Sequence, residues 1–212
     1  MSNKSYFFSN PPGLTEKLKN KHIFIAGAGG LGSNAAMLLV RAGADNLTII
    51  DFDKIEPANI NRQFYFRDQR GVPKVEALKI NLLRINPNIK IEIINERLTK
   101  ENCQNIIPEN SDIILECFDS AENKAMIASF ALQFRKNTPI ITVSGLAGDG
   151  PLDTIKTVQG PGKMLIIGDG TTEATQENGT LSTRVMFASS IQAHLAIDIL
   201  KNRESDSSGD IK

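Results

Sequence analysis

The feature that most constrains the fold is a glycine-rich turn between two apolar segments, within residues 21–53. The apolar run Ile23–Ala26 leads directly into Gly-Ala-Gly-Gly-Leu-Gly at 27–32, which fits the pattern G-x-G-x-x-G. We predict a strand, a tight turn and then a helix from about Asn34 to Ala42, with Gly43 placed to end that helix. Such a unit leaves the free N–H groups of a helix N-terminus facing an anion.

The next apolar segment, Asn46–Ile50, is predicted to be a strand that ends in two carboxylates, Asp51 and Asp53. Asp51 follows Gly32 by 19 residues, close to the spacing at which a carboxylate meets a ribose hydroxyl. The turn residues expected to face the ligand are Gly27, Gly29, Gly30, Leu31 and Gly32. A strand–turn–helix that binds no ligand is the alternative, and the agreement of strand, glycines, helix and acid disfavours it.

A group of phosphate-binding side chains follows the second strand, where a simple dinucleotide-binding fold would enter its next helix. Its members are Asn59, Asn61, Arg62, Gln63 and Lys74. Lys74 comes directly after Pro73, so we place it at the N-terminus of a helix over Val75–Ile85. Ligands bind outside the carboxyl edge of open α/β sheets. A triphosphate needs more cationic groups than a pyrophosphate bridge, so the group favours ATP over NAD.

Asp119 follows the apolar strand predicted over Asp112–Phe118 and precedes a predicted helix over Ala121–Arg135. A carboxylate at the carboxyl end of a strand, beside phosphates, can hold Mg²⁺. The same residue can instead cap the free N–H groups of the helix. Position alone leaves both interpretations open.

The remaining segments predict an α/β fold, a Rossmann-like doubly wound, mostly parallel sheet with helices on both faces and a small antiparallel C-terminal extension. The predicted segments are strands over 89–94 and 139–143, a helix over 98–107, an antiparallel pair over 153–158 and 163–167, a mobile loop over 168–179 and a long helix over 182–200. We predict an N-terminal arm (1–20), one ATP-binding domain (21–201) and a polar, disordered tail (202–212).

Composition excludes several function classes. Lysine and arginine balance aspartate and glutamate at 24 against 24, so no overall basic field predicts a nucleic-acid partner. No apolar run approaches the length of a membrane span. The two cysteines form no C-x-x-C pair, so we expect neither zinc nor a disulfide framework, and a reducing, cytoplasmic setting fits.

Together these motifs resemble the ThiF/MoeB superfamily, the adenylating enzymes related to ubiquitin-activating enzymes, and most closely its compact ThiF branch of ThiS adenylyltransferases. The matching segments are GAGGLGS (27–33), DFD (51–53), NINRQ (59–63), PKVEAL (73–78), RINP (84–87) and FDS (118–120). The N-x-N-R-Q segment followed by P-K-V is far more specific than the glycine motif alone.

The resemblance implies a function: adenylation of the C-terminal Gly-Gly carboxylate of a ubiquitin-like sulfur carrier, of the ThiS type in thiamine biosynthesis, with ATP and Mg²⁺ and release of pyrophosphate. By position, Asp51 would hold the ribose, while Asn59, Arg62 and Gln63 would line the phosphate site. Lys74 would stabilise charge as the carboxylate attacks, and Asp119 would hold Mg²⁺. The resemblance also implies a homodimer.

The chain departs from the family in ways that change this expectation. Larger relatives have two zinc-binding C-x-x-C pairs, and many have a cysteine in the loop corresponding to residues 168–179; this chain has neither. We therefore predict that the acyl adenylate is its final product. Lys124 takes the place of a family arginine. The alternatives are an NAD-dependent reductase and a scaffold that binds carriers without activating them.

Overall fold

The computed structural model describes residues 7–173, 175 and 177–202. The strands in this part of the chain are β1 (His22–Ala26), β2 (Asn46–Ile50), β3 (Lys90–Ile94), β4 (Ile113–Glu116), β5 (Ile140–Val143), β6 (Lys156–Gln159) and β7 (Met164–Gly168). The helices are α1 (Leu14–Leu18), α2 (Gly30–Ala42), α3 (Lys74–Leu83), α4 (Cys103–Ile106), α5 (Ala121–Phe134) and α6 (Ser182–Asn202). None of these helices combines the length and apolarity that a transmembrane span requires.

All seven strands form one sheet in the order β3-β2-β1-β4-β5-β7-β6. Every neighbouring pair is parallel except β6 and β7. This confirms the predicted α/β class and the antiparallel pair, although β7 also pairs with β5, so the pair is an edge of the main sheet. The chain order reverses between β1 and β4, and ligands bind outside the carboxyl ends of strands at such a switch point.

The central strands β1 and β4 are buried on both faces because most of their side chains are apolar. Alternate residues of β1 point to opposite faces of the sheet. Ile23 and Ile25 join a core that includes residues of α2, α3 and α6. Phe24 and Ala26 join a second core that includes residues of α4 and α5. The sheet is therefore covered on both faces, as parallel sheets generally are.

The first helix after the glycine turn begins earlier than predicted. It starts at Gly30 instead of Asn34, because the second half of the glycine motif forms its first turn. It ends at Gly43 as expected: this residue has a φ of 104°, and its N–H donates to carbonyl groups of the last turn.

The helix predicted over 98–107 is wrong for its first half, since only Cys103–Ile106 is helical. The side chain of Asn102 replaces the expected helical hydrogen bonds. Its Oδ1 accepts from the Thr99 amide at 2.7 Å, and its Nδ2 donates to the Arg97 carbonyl at 2.9 Å. Asparagine commonly competes with helix formation in this way.

The predicted arm and tail are described only in part. Within the predicted arm, Leu14–Leu18 forms the short helix α1, and Leu18 is buried in the main core. Residues 1–6 and 203–212, where the start of the arm and nearly all of the polar tail lie, are outside the described residues.

Candidate active site

The glycine turn is too tightly packed to accept a side chain at its key positions. A Cβ on Gly32 would lie 1.8 Å from the Gly27 carbonyl oxygen, and one on Gly27 would lie 2.8 Å from the Cys117 carbonyl oxygen. The turn therefore rests directly on the segment that follows β4. At its open edge, α2 begins without a side-chain cap, so its first N–H groups are available to an anionic ligand.

Asp51 is held against this turn by two amide hydrogen bonds. Its Oδ2 accepts from the Ala28 N–H at 2.6 Å, and its Oδ1 accepts from the Asp53 N–H at 2.8 Å. Burial raises the pKa of Asp51 above its usual value, while Lys74 and the two amides oppose that rise. Each carboxylate oxygen has a further lone pair, so Asp51 still has acceptor capacity for a ribose hydroxyl.

Lys74 begins α3, as the sequence predicted, but its side chain is only 7% exposed. Its ammonium group lies 2.7 Å from Oδ2 of Asp53, and its backbone N–H donates to the Asp53 carbonyl at 2.9 Å. Asp53 is thus the partner that orients this lysine beside Asp51. The side chain of Asp53 remains half exposed.

Asn59 and Arg62 lie in a short 3₁₀ segment and the turn after it, next to the start of α2. Oδ1 of Asn59 accepts from the Glu56 amide at 2.9 Å, which shapes the segment.

Arg62 packs on the glycine turn, where a Cβ on Gly30 would lie 3.6 Å from its Cγ. Within the described residues, its guanidinium donates only to the Ala58 carbonyl and the Asn61 side chain, each at 2.9 Å. Since neither acceptor is charged, Arg62 retains its full charge for a ligand.

Gln63 lies directly over the glycine turn, and its amide carries an unpaired polar atom. Its Nε2 is 3.9 Å from the position of a Cβ on Gly29. Its Oε1 is buried and has no hydrogen-bond partner among the described residues. An orphaned buried polar atom costs free energy unless a ligand or water pairs with it. This feature fits a polar ligand seated between Gln63 and the turn.

Asp119 is exposed at the end of the segment that packs under the turn. The cap of α5 is Ser120, whose Oγ accepts from the Asn123 amide at 3.4 Å, so the N-cap interpretation of Asp119 is wrong. No hydrogen bond or ion pair of the Asp119 side chain is found within the described residues. Nor does this part of the chain hold a cluster of three metal-binding side chains. Mg²⁺ commonly takes one or two carboxylates together with substrate phosphates, so a lone carboxylate fits an ion bound with ATP.

Tyr65 is a site residue that sequence reasoning missed. Its buried hydroxyl donates to the carbonyl of Ala28 at 2.7 Å and lies 3.3 Å from the carbonyl of Lys74. It therefore ties the glycine turn to the start of α3. Burial raises the pKa of Tyr65 well above its usual value, so the hydroxyl remains a donor. The available signal was a tyrosine two residues after the N-x-N-R-Q segment.

Glu116 is the second missed residue, and it supports the segment that carries Asp119. Its carboxylate is fully buried and accepts from the Phe118 amide at 2.7 Å and from the Thr142 hydroxyl. Lys124 lies 3.2 Å from both carboxylate oxygens. The charge of Lys124 is therefore balanced by Glu116. The signal was an acidic residue within an otherwise apolar strand.

The loop over 168–179, predicted to be mobile, is held to the sheet by Asp169 in its described part. Asp169 accepts from the amides and hydroxyls of Thr171 and Thr172. It also pairs with Nη2 of the buried Arg184 at 2.8 Å. Although burial raises the pKa of Asp169, these threonine hydrogen bonds prevail and lower it to about 2. The base of the loop is therefore fixed against α6.

Both cysteines are buried and reduced. Burial raises the pKa of Cys103 to about 11 and raises that of Cys117 further. Neither thiol is prepared to act as a nucleophile, since the thiolate is the reactive form.

The chain is similar in sequence to curated adenylyltransferases. A molybdopterin-synthase adenylyltransferase of Haemophilus influenzae is 47% identical over 108 residues, which cover 50% of this chain and 44% of that protein. An adenylyltransferase and sulfurtransferase MOCS3 of Drosophila yakuba is 35% identical over 146 residues, which cover 68% and 32%. The chain spans less than half the length of these curated relatives.

Solved structures of low sequence identity share the fold. The E. coli tRNA N6-threonylcarbamoyladenosine dehydratase TcdA, in complex with ATP, has a TM-score of 0.78 at 20% identity, with 89% of each chain covered. The E. coli protein MccB with ATP has a TM-score of 0.72 at 22% identity, with 94% of this chain and 64% of that chain covered. Residues 5–211 match the ThiF family. Since that match extends over nearly the whole sequence, the chain belongs to the ThiF family.

Proposed function

We propose that this protein uses ATP to adenylate the C-terminal Gly-Gly carboxylate of a ubiquitin-like sulfur carrier and releases pyrophosphate. The observation that carries the proposal is the convergence of Gln63, Arg62 and the Lys74–Asp53 pair on one glycine turn. Family membership and the ATP complexes of TcdA and MccB support a nucleotide there.

The site's chemistry suits carboxylate activation. A carrier carboxylate is already a nucleophile, so its attack on the α-phosphorus of ATP needs no general base. The bond from that phosphorus to pyrophosphate breaks as the new bond forms. The barrier is the approach of one anion to another, and Arg62 and Lys74 lower it by placing positive charge at the phosphates. Asp51 would orient the ribose, and Asn59 would help to shape the phosphate wall.

The proposed reaction includes Mg²⁺, and Asp119 is the residue that would hold the ion. The Asp119 carboxylate would hold the magnesium ion, whose positive charge would stabilise the pyrophosphate leaving group. Asp119 is exposed, is not used as a helix cap, and follows the strand next to β1. Its role would be to fix the position of the ion relative to the glycine turn.

For the carrier we infer the ThiS type, because residues 1–212 contain none of the zinc-binding cysteine pairs of larger relatives. The molybdopterin type is a second candidate, since the Haemophilus influenzae relative named for that pathway is 47% identical over half of this chain. Purified protein with ATP and Mg²⁺ should add one adenylyl group to the preferred carrier, as measured by mass spectrometry. Modification of the molybdopterin-type carrier alone would overturn the ThiS assignment.

Two other functions, an NAD-dependent reductase and a scaffold that binds carriers without activating them, predict different ligands. A ligand at 100 times its dissociation constant should stabilise the folded protein by about 2.7 kcal/mol. We expect that stabilisation with ATP and Mg²⁺ in a thermal melt and none with NAD(H). Stabilisation by NAD(H) would favour a reductase, and no effect of either would favour a scaffold.

We also propose a homodimer, which the family resemblance implies. Phe8 is 69% exposed in the segment before α1, and a second protomer would cover such an apolar surface. Light scattering should give twice the mass of 23.2 kDa at micromolar concentration, whereas a monomer would contradict the proposal.

A further inference from the structure

A cavity of about 310 Å³ lies at the amino edge of the sheet, opposite the glycine turn. It is bounded by the end of α5 and by the residues just before β5 and β7. Leu132 and Ile140 form part of its apolar wall. Three of its lining side chains are cationic, Arg135, Lys136 and Lys163, and no carboxylate is among the described residues that line it. The nucleotide proposal assigns nothing to this place.

Arg135 is the unusual member of this group because it is only 8% exposed. Its Nη2 donates to the Ile107 carbonyl at 2.9 Å, and its Nη1 donates to the Phe134 carbonyl at 3.2 Å. Its Nε is buried and has no hydrogen-bond partner within residues 7–173, 175 and 177–202. A buried charge without a counter-charge is costly, so this guanidinium favours an anion nearby.

A purely structural role accounts for only part of this arrangement. Arg135 ends α5, and a helix C-terminus carries a partial negative charge of roughly half a unit. The two carbonyls accept one N–H from each terminal nitrogen, and the centre of the Phe130 ring lies 5.2 Å from the guanidinium carbon, but Nε is left unpaired within the described residues. Lys136 and Lys163 are exposed at the rim, and Lys163 donates to the Asn137 carbonyl at 3.2 Å. The cavity therefore has positive charge in excess of what the fold uses.

We propose that this cavity binds an oxyanion, either inorganic phosphate or the phosphate group of a small phosphate ester. Arg135 would form its floor with a directional donor, as guanidinium groups commonly do with phosphate. Lys136 and Lys163 would close over it as mobile point charges. The volume is at the lower end of the range for small-molecule pockets, which suits a compact ligand. The apolar wall leaves room for a short carbon skeleton.

The test is calorimetric titration of the full chain with glycerol phosphate, inorganic phosphate and glycerol at fixed ionic strength. The two lysines are exposed, so a Lys136→Ala/Lys163→Ala variant should fold normally. A Lys17→Ala/Lys90→Ala variant removes the same charge from exposed positions elsewhere. Each titration is repeated in a Lys74→Ala background, which weakens phosphate binding at the glycine turn and so separates the two sites.

We expect glycerol phosphate to bind, glycerol not to bind, and the affinity to fall by about tenfold or more in the Lys136→Ala/Lys163→Ala variant only. Arg135→Gln should abolish the binding. Equal affinity for inorganic phosphate would identify the free ion as the occupant, and weaker binding of it would identify an ester. No binding in the Lys74→Ala background, or an equal loss in both lysine variants, would overturn the site.

Discussion

Lys74 and Arg62 are both positively charged residues at the glycine turn, but their surroundings differ. Lys74 is buried and oriented by Asp53, whereas Arg62 is half-buried and donates only to neutral acceptors. A buried, paired lysine is fixed before the substrate arrives, which is the property that makes electrostatic catalysis effective. In the part of the chain that the structure describes, no carboxylate pairs with Arg62 and competes with the phosphates.

Removal of either charge should reduce the rate without unfolding the protein. We expect Lys74→Ala and Arg62→Ala each to lower carrier adenylation by roughly 10²–10³-fold, by analogy with the loss of one transition-state donor. Steady-state kinetics measure the effect, and circular dichroism checks the fold. Lys54→Ala is the matched control, because Lys54 is exposed and lies close by in the chain. Near-normal turnover in either variant would remove that residue from the mechanism.

Asp119 and Ser120 are neighbours with separate expected roles. Asp119→Asn should raise the Mg²⁺ concentration needed for half-maximal adenylation and leave the melting temperature unchanged. Ser120→Ala should cost about 1 kcal/mol of stability through the lost helix cap and leave the Mg²⁺ dependence unchanged. Magnesium titrations and urea unfolding of both variants measure these effects. A normal Mg²⁺ requirement in Asp119→Asn would contradict the metal role.

For individual residues, the sequence indicated which side chains are candidates for binding the ligand, but not which groups of the protein they contact. Asp51 was recognised by its spacing from the glycine turn, and residues 59–63 by their N-x-N-R-Q motif. Both signals are local and are present in a single sequence. The burial of Lys74, the orphaned oxygen of Gln63 and the bonds of Tyr65 depend on which segments pack together. That information is not present in the spacing of residues.

At the scale of elements, the Arg184–Asp169 pair fixes the start of the loop between β7 and α6. Arg184 also donates to the carbonyls of Gly150 and Pro151 at 2.6 and 3.0 Å, so it joins α6 to two loop segments. The loop was expected to be mobile because it is rich in glycine and threonine. Its threonines instead provide the hydroxyls that bind Asp169.

This pair makes a prediction about stability and pH. The pKa of Asp169 is about 2 in the folded protein against an ordinary value of 3.8. A lowered carboxyl pKa stabilises the fold above the ordinary value, and the contribution disappears as the pH falls from about 4 to about 2. Asp169→Asn should therefore lower the free energy of unfolding by about 2–3 kcal/mol at pH 7 and reduce its dependence on pH in that window.

Urea unfolding at pH 7 and pH 3 measures this effect. Asp149→Asn is the control, because Asp149 is exposed and lies on a loop next to the residues that Arg184 contacts. Equal stability of the Asp169→Asn protein and the control at pH 7 would show that the pair does not hold the loop.

The ends of helices and strands were predicted correctly where a single residue type marked them clearly. The bounds of β2 were predicted correctly because an apolar run ends in a carboxylate, and the end of α2 because Gly43 follows it. The helix over 98–107 was wrong because one asparagine side chain bonds the backbone at both ends of a turn. Sequence periodicity does not record that competition.

At the scale of the whole molecule, the strand order explains why residues far apart in sequence meet. β1 lies between β2 and β4, so the ends of these strands bring Asp51, the glycine turn and Asp119 to one edge. The parallel class was predictable from apolar runs that alternate with helices. The pairing of β7 with both β5 and β6 was not, because it requires the long-range register of the sheet.

The central claim is that this edge activates a carrier carboxylate. The most direct test is ATP–pyrophosphate exchange by purified protein with Mg²⁺ and a ThiS-type carrier ending in Gly-Gly, compared with the same carrier lacking its last glycine. We predict exchange with the intact carrier and none with the shortened one, because only a correctly placed carboxylate reaches the α-phosphorus. Exchange that is indifferent to the carrier's end, or no exchange with any Gly-Gly carrier despite bound ATP, would contradict the account.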